Sequence, residues 1–252
     1  MRILRDTGLF FNRNMKESLR QPIWVFMSLI TPLMYIALFA PILRNFGREP
    51  LETYEVLNSF VPGILSVLAF GCGMGAGWDV IFQLESGVIE RLRVSLASRF
   101  SILMGQVLKD IVAFLVPALL VLTISAFFGF YVHIGGLAVL LFLLVLLTTI
   151  VSAWTSCMGL ILRDMGTLAA VVTGLQLPLT LLSGVLLPLS FAPDWLRGLV
   201  HINPMYYTVE ASRVLYRGDI NNSETIVAFA IIIPLTAVAL WWATRVYNKA
   251  VA

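Results

Sequence analysis

Four polar side chains recur in an otherwise apolar stretch, and their spacing is the strongest chemical signal in the chain. Thr173, Gln176, Thr180 and Ser183 are three, four and three residues apart, so on a helix they fall within one face. An unpartnered amide in hydrocarbon costs roughly 2–7 kcal/mol, so Gln176 must face protein or an aqueous path. The pattern predicts either helix packing or the lining of a translocation path, and both interpretations stay open.

The residue sets that enzymes need are missing from the sequence. It has no Gly-Lys pair and hence no phosphate loop, and neither an HExxH motif nor a Cys/His cluster with metal-ligand spacing. Cys72 and Cys157 both fall in apolar runs, where core packing is expected. No nucleophile–base pair is placed at membrane depth. We therefore expect no catalytic residue, no metal site and no cofactor bound by this chain.

The composition is that of an integral membrane protein. Of 252 residues, 59% are apolar and 12% are charged, against about 45–50% and about 25% in soluble domains. No block of Lys and Arg is dense enough to indicate a nucleic-acid partner.

Six apolar segments can cross a bilayer, for which about 20 residues are needed. The interval 111–162 contains no Asp, Glu, Lys or Arg, and a turn at Gly129–Gly136 divides it into two spans. Because no predicted span holds such a residue, we do not expect a proton-coupled carrier. The predicted fold is an all-α integral membrane domain over 1–252, with spans at about 23–43, 56–78, 111–131, 136–162, 165–187 and 225–244.

The N-terminal residues 2–20 form an amphipathic pattern. A helix there places Leu4, Phe11, Met15 and Leu19 on one side and five Lys and Arg residues on the other. This arrangement is typical of a helix lying in a membrane interface beside anionic lipid.

Residues 84–100 form a second amphipathic pattern outside the predicted spans. Val88, Leu92 and Leu96 recur every four residues, with charged side chains on the remaining surface. The spacing predicts a short helix at a membrane face, within a polar loop over 79–110.

The second span ends in GCGMGAG, where small residues repeat every four positions. Gly71 is paired with Gly75 in this way, and Gly73 with Gly77. Such spacing lets two helix backbones approach closely, so we expect tight helix packing.

The stretch 188–218 breaks the apolar pattern between the last two spans. Pro188 and Pro193 interrupt it, and a short amphipathic helix follows, for which Asn203 is a suitable N-cap and Pro204 a suitable first residue. That helix is too polar and too short to cross a bilayer alone. We expect an irregular helical hairpin at one membrane face.

Charge distribution predicts the orientation. In a six-span topology, twelve Lys and Arg residues lie on the side of the termini and five on the other. The positive-inside rule places both termini in the cytoplasm and residues 188–218 at the outer face. The expected location is the bacterial cytoplasmic (inner) membrane.

Two blocks carry a family resemblance. They are Glu85–Arg99 (ESGVIERLRVSLASR), continuing into Gly105–Leu108, and Leu182–Arg213 (LSGVLLPLSFAPDWLRGLVHINPMYYTVEASR). With them, the chain resembles the membrane subunit of type-2 ABC exporters and is similar to the daunorubicin/doxorubicin-resistance permeases.

The resemblance implies a dimer of permeases, a homodimer or a pair of close paralogues, bound to two ABC ATPase subunits that hold ATP and Mg²⁺. The N-terminal helix and the 84–100 helix would contact the ATPase, with a smaller contact at 163–164. The residues 188–218 would re-enter the outer leaflet, and spans two and five would line the route.

The residues expected to couple to the ATPase are Glu85, Glu90, Arg91, Leu92, Arg93, Arg99, Arg163 and Asp164. Those expected along the path are Phe70, Met74, Thr173, Gln176, Thr180 and Ser183. Those expected in the outer cap are Pro188, Pro193, Asn203, Pro204, Tyr207, Glu210 and Arg213.

The expected function is therefore that of an exporter permease without its own ATPase site. Its cargo would be an amphiphilic drug, a lipid or a lipid-linked glycan. The alternatives are a stand-alone secondary carrier and, less favoured, an intramembrane enzyme.

Overall fold

The computed structural model describes most of the chain, and every regular element in the described part is a helix. The described residues are 2–20, 30, 34, 38, 53–93, 98–127, 134–185, 193–216 and 218–250. The helices are α1 (Arg2–Leu19), α2 (Thr53–Met74), α3 (Ala76–Glu85), α4 (Val88–Arg93), α5 (Arg99–Phe127), α6 (Ile134–Leu162), α7 (Met165–Leu181), α8 (Asp194–Val200), α9 (Pro204–Tyr216) and α10 (Ser223–Ala250).

Four helical segments in this part are long and apolar enough to cross a membrane. They are Val61–Glu85, Arg99–Ser125, Gly135–Leu162 and Ser223–Lys249. The predicted all-α membrane architecture is thus confirmed. Helix α7 covers 17 residues of the predicted fifth span, and the predicted first span, 23–43, lies outside the described residues apart from three positions. The six-span count and the re-entrant hairpin stay predictions.

Helix α6 is the centre of the bundle. It packs against α2, α3, α5, α9 and α10, as expected of a helix that is apolar on every side. Two of its hydroxyl groups reach the backbone of the neighbouring helix. Thr148 Oγ1 donates to the Ala69 carbonyl at 3.1 Å, and Thr155 Oγ1 donates to the Gly73 carbonyl at 2.8 Å. These bonds hold α2 and α6 in a fixed register.

Glycines allow α6 to approach α2 and α3 at backbone distance. A Cβ on Gly77 would lie 2.7 Å from the Thr155 carbonyl oxygen, and one on Gly159 would lie 2.6 Å from the Gly77 carbonyl oxygen. A Cβ on Gly73 would meet Val151 at 2.8 Å, whereas one on Gly71 would meet nothing within 4 Å. The expected close packing is confirmed for Gly73 and Gly77, but Gly71 does not take part in it.

The polar loop predicted over 79–110 is much shorter in the structure. Helix α3 continues to Glu85, and α5 already begins at Arg99 because apolar side chains such as Leu103 and Val107 supply a buried face there. The single helix predicted over 84–100 is also corrected. A turn at Ser86–Gly87, with φ of +69° at Gly87, separates α3 from the six-residue α4, because a left-handed residue ends a helix.

Helices α1 and α9 lie at opposite ends of the bundle. Helix α9 packs near Gly136 at the N-terminal end of α6, where an added Cβ would lie 2.1 Å from the Leu215 carbonyl oxygen. Helix α1 packs along the N-terminal part of α5, where a Cβ on Gly105 would lie 2.5 Å from the Phe10 side chain. The fold therefore separates α1 from α9 along the bundle.

Candidate coupling site and translocation path

A buried group of polar side chains, which the sequence analysis missed, lies where α1 meets the bundle. At its centre the Lys109 ammonium group contacts the Asp79 carboxylate and lies 2.8 Å from Asp110 Oδ1. We call the group the Lys109 cluster; its members are Asn14, Asp79, Gln106, Lys109, Asp110 and Ser152.

Hydrogen bonds within the Lys109 cluster join four helices. Asn14 Nδ2 on α1 donates to Gln106 Oε1 on α5 at 3.1 Å, and Gln106 Nε2 donates to Asp79 Oδ2 on α3 at 2.8 Å. On the other side, Ser152 Oγ on α6 donates to Asp110 Oδ2 at 2.5 Å. An unbroken chain of contacts therefore runs from the N-terminal helix into the central helix.

Every member of the Lys109 cluster except Asp79 is buried, which makes the pairing of these side chains energetically important. Asn14, Gln106, Lys109 and Asp110 are 6%, 3%, 8% and 1% exposed. A buried ion pair is destabilised by about 3–5 kcal/mol when one partner is removed, because the other charge is left uncompensated. That buried ion pair lies within α5, and the hydrogen bonds of the cluster and its contact with Asp79 connect α5 to the three other helices.

The cluster also corrects the expectation that no ionisable residue lies within a span. Lys109 and Asp110 belong to the helical segment Arg99–Ser125, which is long and apolar enough to cross a membrane. The third span predicted from the sequence begins at residue 111, immediately after them. A usable signal was present: Gln106, Lys109 and Asp110 have i, i+3 and i+4 spacing and so share one helix face.

The predicted coupling residues at the end of α3 and on α4 lie at the surface of the same end. Glu85, Glu90 and Arg91 are exposed, while Ile89 between them is buried. The helix is therefore anchored by Ile89 and presents charges outward. The side chain of Arg93 is not among those that the structure describes.

Arg99 has a structural contact in addition to its predicted role. Its Nη1 donates to the Leu92 carbonyl at 2.9 Å, which ties the start of α5 to the end of α4. Leu92 is half-buried. These two residues fix the orientation of α4 relative to the long helix.

The charged pair between α6 and α7 is exposed and also caps a helix. Asp164 Oδ1 accepts hydrogen bonds from the Thr167 backbone N–H at 2.7 Å and from Thr167 Oγ1 at 2.5 Å. These bonds hold the pKa of Asp164 below its ordinary value, so the cap is present at neutral pH and is lost only as the pH falls through that lowered pKa. Arg163, the residue before Asp164, has a left-handed backbone conformation with φ of +54°.

The structure separates the predicted path residues into two groups. Thr173 is exposed, Gln176 and Thr180 are half-buried, and these three form what we call the α7 polar face. Phe70 and Met74 are 5% and 4% exposed within the core, so the helices around them would have to separate before they could contact cargo.

Ser183 lies outside the helix on which the sequence analysis placed it. Helix α7 ends at Leu181, and Ser183 is buried in the following turn, where its hydroxyl donates to the Thr180 carbonyl at 2.6 Å. The prediction of four residues on one helical face is thus corrected to three. Pro178 inside α7 removes one backbone donor near this end, which favours termination.

The predicted cap residues occupy the α8–α9 region, except Pro188, which lies outside the described residues. Pro193 precedes α8, and Pro204 is the first residue of α9. Tyr207 donates its hydroxyl to the His201 carbonyl at 2.9 Å. Glu210 and Arg213 form an ion pair at 2.9 Å.

No group of three or more His, Cys, Asp or Glu residues in the described ranges could hold a metal ion. The arrangement instead consists of several apolar membrane-crossing helices, a polar cluster that ties a surface helix to them, and a polar face on a marginally packed helix. Together these features define a helical membrane domain with a surface helix tied to its bundle.

Residues 5–216 match the family model described as ABC-2 type transporter, and the chain belongs to that family. This confirms the resemblance inferred from the two sequence blocks. The ycf38 protein of Cyanophora paradoxa, whose name describes a transport permease, is 33% identical over 201 residues, covering 78% of this chain and 69% of that protein.

Two bacterial relatives cover more of the chain at lower identity. The inner membrane transport permease YadH of Escherichia coli K12 is 28% identical over 219 residues, 84% of this chain and 83% of that protein. The daunorubicin resistance ABC transporter permease protein DrrB1 of Streptomyces coeruleorubidus is 24% identical over 227 residues, 89% and 78% respectively. The chain is therefore a membrane subunit of a transporter rather than an enzyme.

Proposed function

We propose that this chain is the permease subunit of an ATP-driven exporter in which a separate subunit hydrolyses ATP. The observation that carries the proposal is the Lys109 cluster, which fastens α1 to α3, α5 and α6 through buried polar contacts. Permeases of the ABC-2 type generally work with an ABC ATPase. The fold supplies a surface helix on which such a partner can act.

In this proposal, the Lys109 cluster transmits a movement of α1 to the membrane-crossing helices. The ATPase, holding ATP and Mg²⁺, would contact α1, α4 and the Arg163–Asp164 turn. A displacement of α1 would pull on the Asn14–Gln106 hydrogen bond and thereby on Asp79 and Lys109. Because these hydrogen bonds and the contact between Lys109 and Asp79 connect α1, α3 and α5, the helices would respond together.

The uneven distribution of Lys and Arg supports cytoplasmic termini. The name of YadH supports an inner-membrane location. A second permease copy, identical or a close paralogue, would complete the assembly with two ATPase subunits. The exposed face of α7, with Leu175 and Leu177 44% and 66% exposed, leaves room for that copy or for membrane lipid.

The cargo would be an amphiphilic drug, a lipid or a lipid-linked glycan, moved out of the cytoplasm or the inner leaflet. The proposal of an amphiphilic cargo is supported by the α7 polar face, on which Thr173, Gln176 and Thr180 lie beside exposed leucines. Such a surface offers both hydrogen-bonding and apolar contacts. The name of DrrB1 refers to daunorubicin resistance, and an amphiphilic drug fits the same chemistry.

A secondary carrier is the alternative that one observation favours. Lys109 and Asp110 lie within a segment able to cross the membrane, and intramembrane ionisable residues often serve proton relays. A carrier would move cargo in response to a proton gradient without any ATPase, which separates the two proposals directly. The intramembrane enzyme has no comparable support.

The α4 surface gives a first test. Reversing Glu90 to Lys and Arg91 to Glu should reduce recovery of the ATPase with the tagged permease by about tenfold, about 1.4 kcal/mol in binding. Both side chains are exposed, so the fold should survive. The measurement is the ATPase-to-permease ratio after affinity purification.

The matched control for that test is a double charge reversal at the other end of the bundle, Asp219→Lys with Glu224→Lys, both exposed. It should leave the ratio unchanged. The assignment of α4 as an ATPase contact would be contradicted if both variants lost the ATPase equally. It would also be contradicted if the α4 variant recovered as much ATPase as the wild type.

A further inference from the structure

The C-terminal half of α7 has little support along its own length. The buried residues of the helix are Leu168 and Val172, both in its N-terminal half. Further along, Leu175, Leu177 and Leu181 are 44%, 66% and 54% exposed. In this half Leu179 packs against the core, and we expect contacts at the end of the helix to contribute much of its remaining support.

Two side chains from the α9 region reach the end of α7. Asn203 Nδ2 donates to the Leu179 carbonyl at 2.7 Å. Beyond the helix the chain turns at Gly184, with φ of +74°, and Arg213 Nη2 donates to the Gly184 carbonyl at 2.7 Å. The last carbonyls of a helix have no intrahelical partner, so the Asn203 bond satisfies a group that would otherwise need another donor.

Helix α9, in contrast, is firmly embedded. It packs against α2, α6 and α10, and residues such as Met205, Val209 and Leu215 are fully buried. The Glu210 carboxylate, 2.9 Å from Arg213 Nη1, keeps the guanidinium group aimed at the turn after α7. The donors therefore stand on a fixed element. The Leu179 acceptor belongs to the sparsely buried half of α7, and the Gly184 acceptor lies in the buried turn that follows it.

We propose that Asn203 and Arg213 are positioning residues that brace the C-terminal end of α7 against α9. The brace fixes the position of the α7 polar face. Without the brace, α7 pivots about its packed N-terminal half. The transport consequence rests on the proposed function, because it requires that this face line the path. The brace itself is a property of the permease alone.

Asn203 has two roles that substitution can separate. Its Oδ1 accepts from the Met205 backbone N–H at 3.0 Å and so caps α9, while its Nδ2 holds α7. Asn203→Asp keeps a good capping acceptor and removes the donor to α7. Asn222→Asp is the matched control, because the Asn222 oxygen caps α10 by accepting from the Glu224 N–H at 3.2 Å.

The brace is tested on the full permease by measuring the distance between two spin labels with double electron–electron resonance. Labels are placed by Leu177→Cys on α7 and Ile226→Cys on α10, both exposed, with Cys72 and Cys157 replaced by alanine. We expect one narrow distance distribution, broadened about twofold by Asn203→Asp and by Arg213→Gln, as for a helix gaining a pivoting motion. Asn222→Asp should leave it unchanged. Equal widths in all four proteins would overturn the brace.

Transport by the reconstituted complex separates this inference from the proposed function. With a fluorescent phospholipid analogue as the probe, both brace variants should raise the KM for the probe several-fold while basal ATP hydrolysis is retained. An unchanged KM would overturn the link between the brace and the path. A wild-type complex that moves no probe on ATP addition would refute the exporter proposal, while the label distances would still decide the brace.

Discussion

Lys109→Met should destabilise the permease by about 3–5 kcal/mol and abolish ATP-driven transport, because it leaves the buried Asp110 carboxyl group without its ammonium partner. The Asp110 side chain is 2% exposed and sits 2.8 Å from the ammonium group it would lose. Asp79 is 44% exposed and can be hydrated, so its lost pairing contributes less. Thermal denaturation in detergent measures the first effect, and transport by the reconstituted complex measures the second.

The control for this prediction also replaces the Asp110 carboxyl group, which the first substitution leaves without its ammonium partner. In Lys109→Met with Asp110→Asn, the Asn amide can still meet the Ser152 hydroxyl, and most of the lost stability should return. Coupled transport should stay impaired, since the contact from Lys109 to Asp79 on α3 is still missing. A Lys109→Met protein as stable as the wild type would show that the cluster does not hold the helices together.

Gly159→Ala should destabilise the bundle by about 1–3 kcal/mol, because the added methyl group must displace α3 from α6. Its Cβ would lie 2.6 Å from the Gly77 carbonyl oxygen, a backbone atom that cannot rotate away. The measurement is again the thermal midpoint of the purified permease.

Gly71→Ala is the matched control for that substitution. It adds the same atom to a helix at a position with nothing within 4 Å, and Ala is favoured over Gly within a helix. Its stability should therefore be equal to or above that of the wild type. If Gly71→Ala were as damaging as Gly159→Ala, the effect would not come from the α3–α6 contact.

Much of the fold is visible in the sequence because its signals are local. Apolar runs of sufficient length mark the membrane-crossing helices, and the spacing of Gly73 and Gly77 indicates a close helix contact before any partner is known. Asn203 followed by Pro204 marks the start of α9. Each of these inferences needs only neighbouring residues.

The candidate site is less visible because it depends on partners that are far apart in sequence. Asn14, Asp79 and Ser152 meet the α5 residues only in the folded bundle. The periodicity of a single helix shows which side chains share a face but not what that face contacts. For the same reason, the sequence did not reveal that Phe70 and Met74 are enclosed by the core or that α7 ends before Ser183.

In the proposed mechanism, a separate ATPase drives this permease through α1 and the Lys109 cluster. The most direct measurement is movement of a fluorescent phospholipid analogue in proteoliposomes containing the wild-type permease, with and without the co-purified ATPase, and with either ATP or an imposed proton gradient. We predict movement only when ATPase and ATP are both present, and none with Lys109→Met. Movement driven by the proton gradient in the absence of the ATPase would contradict the account.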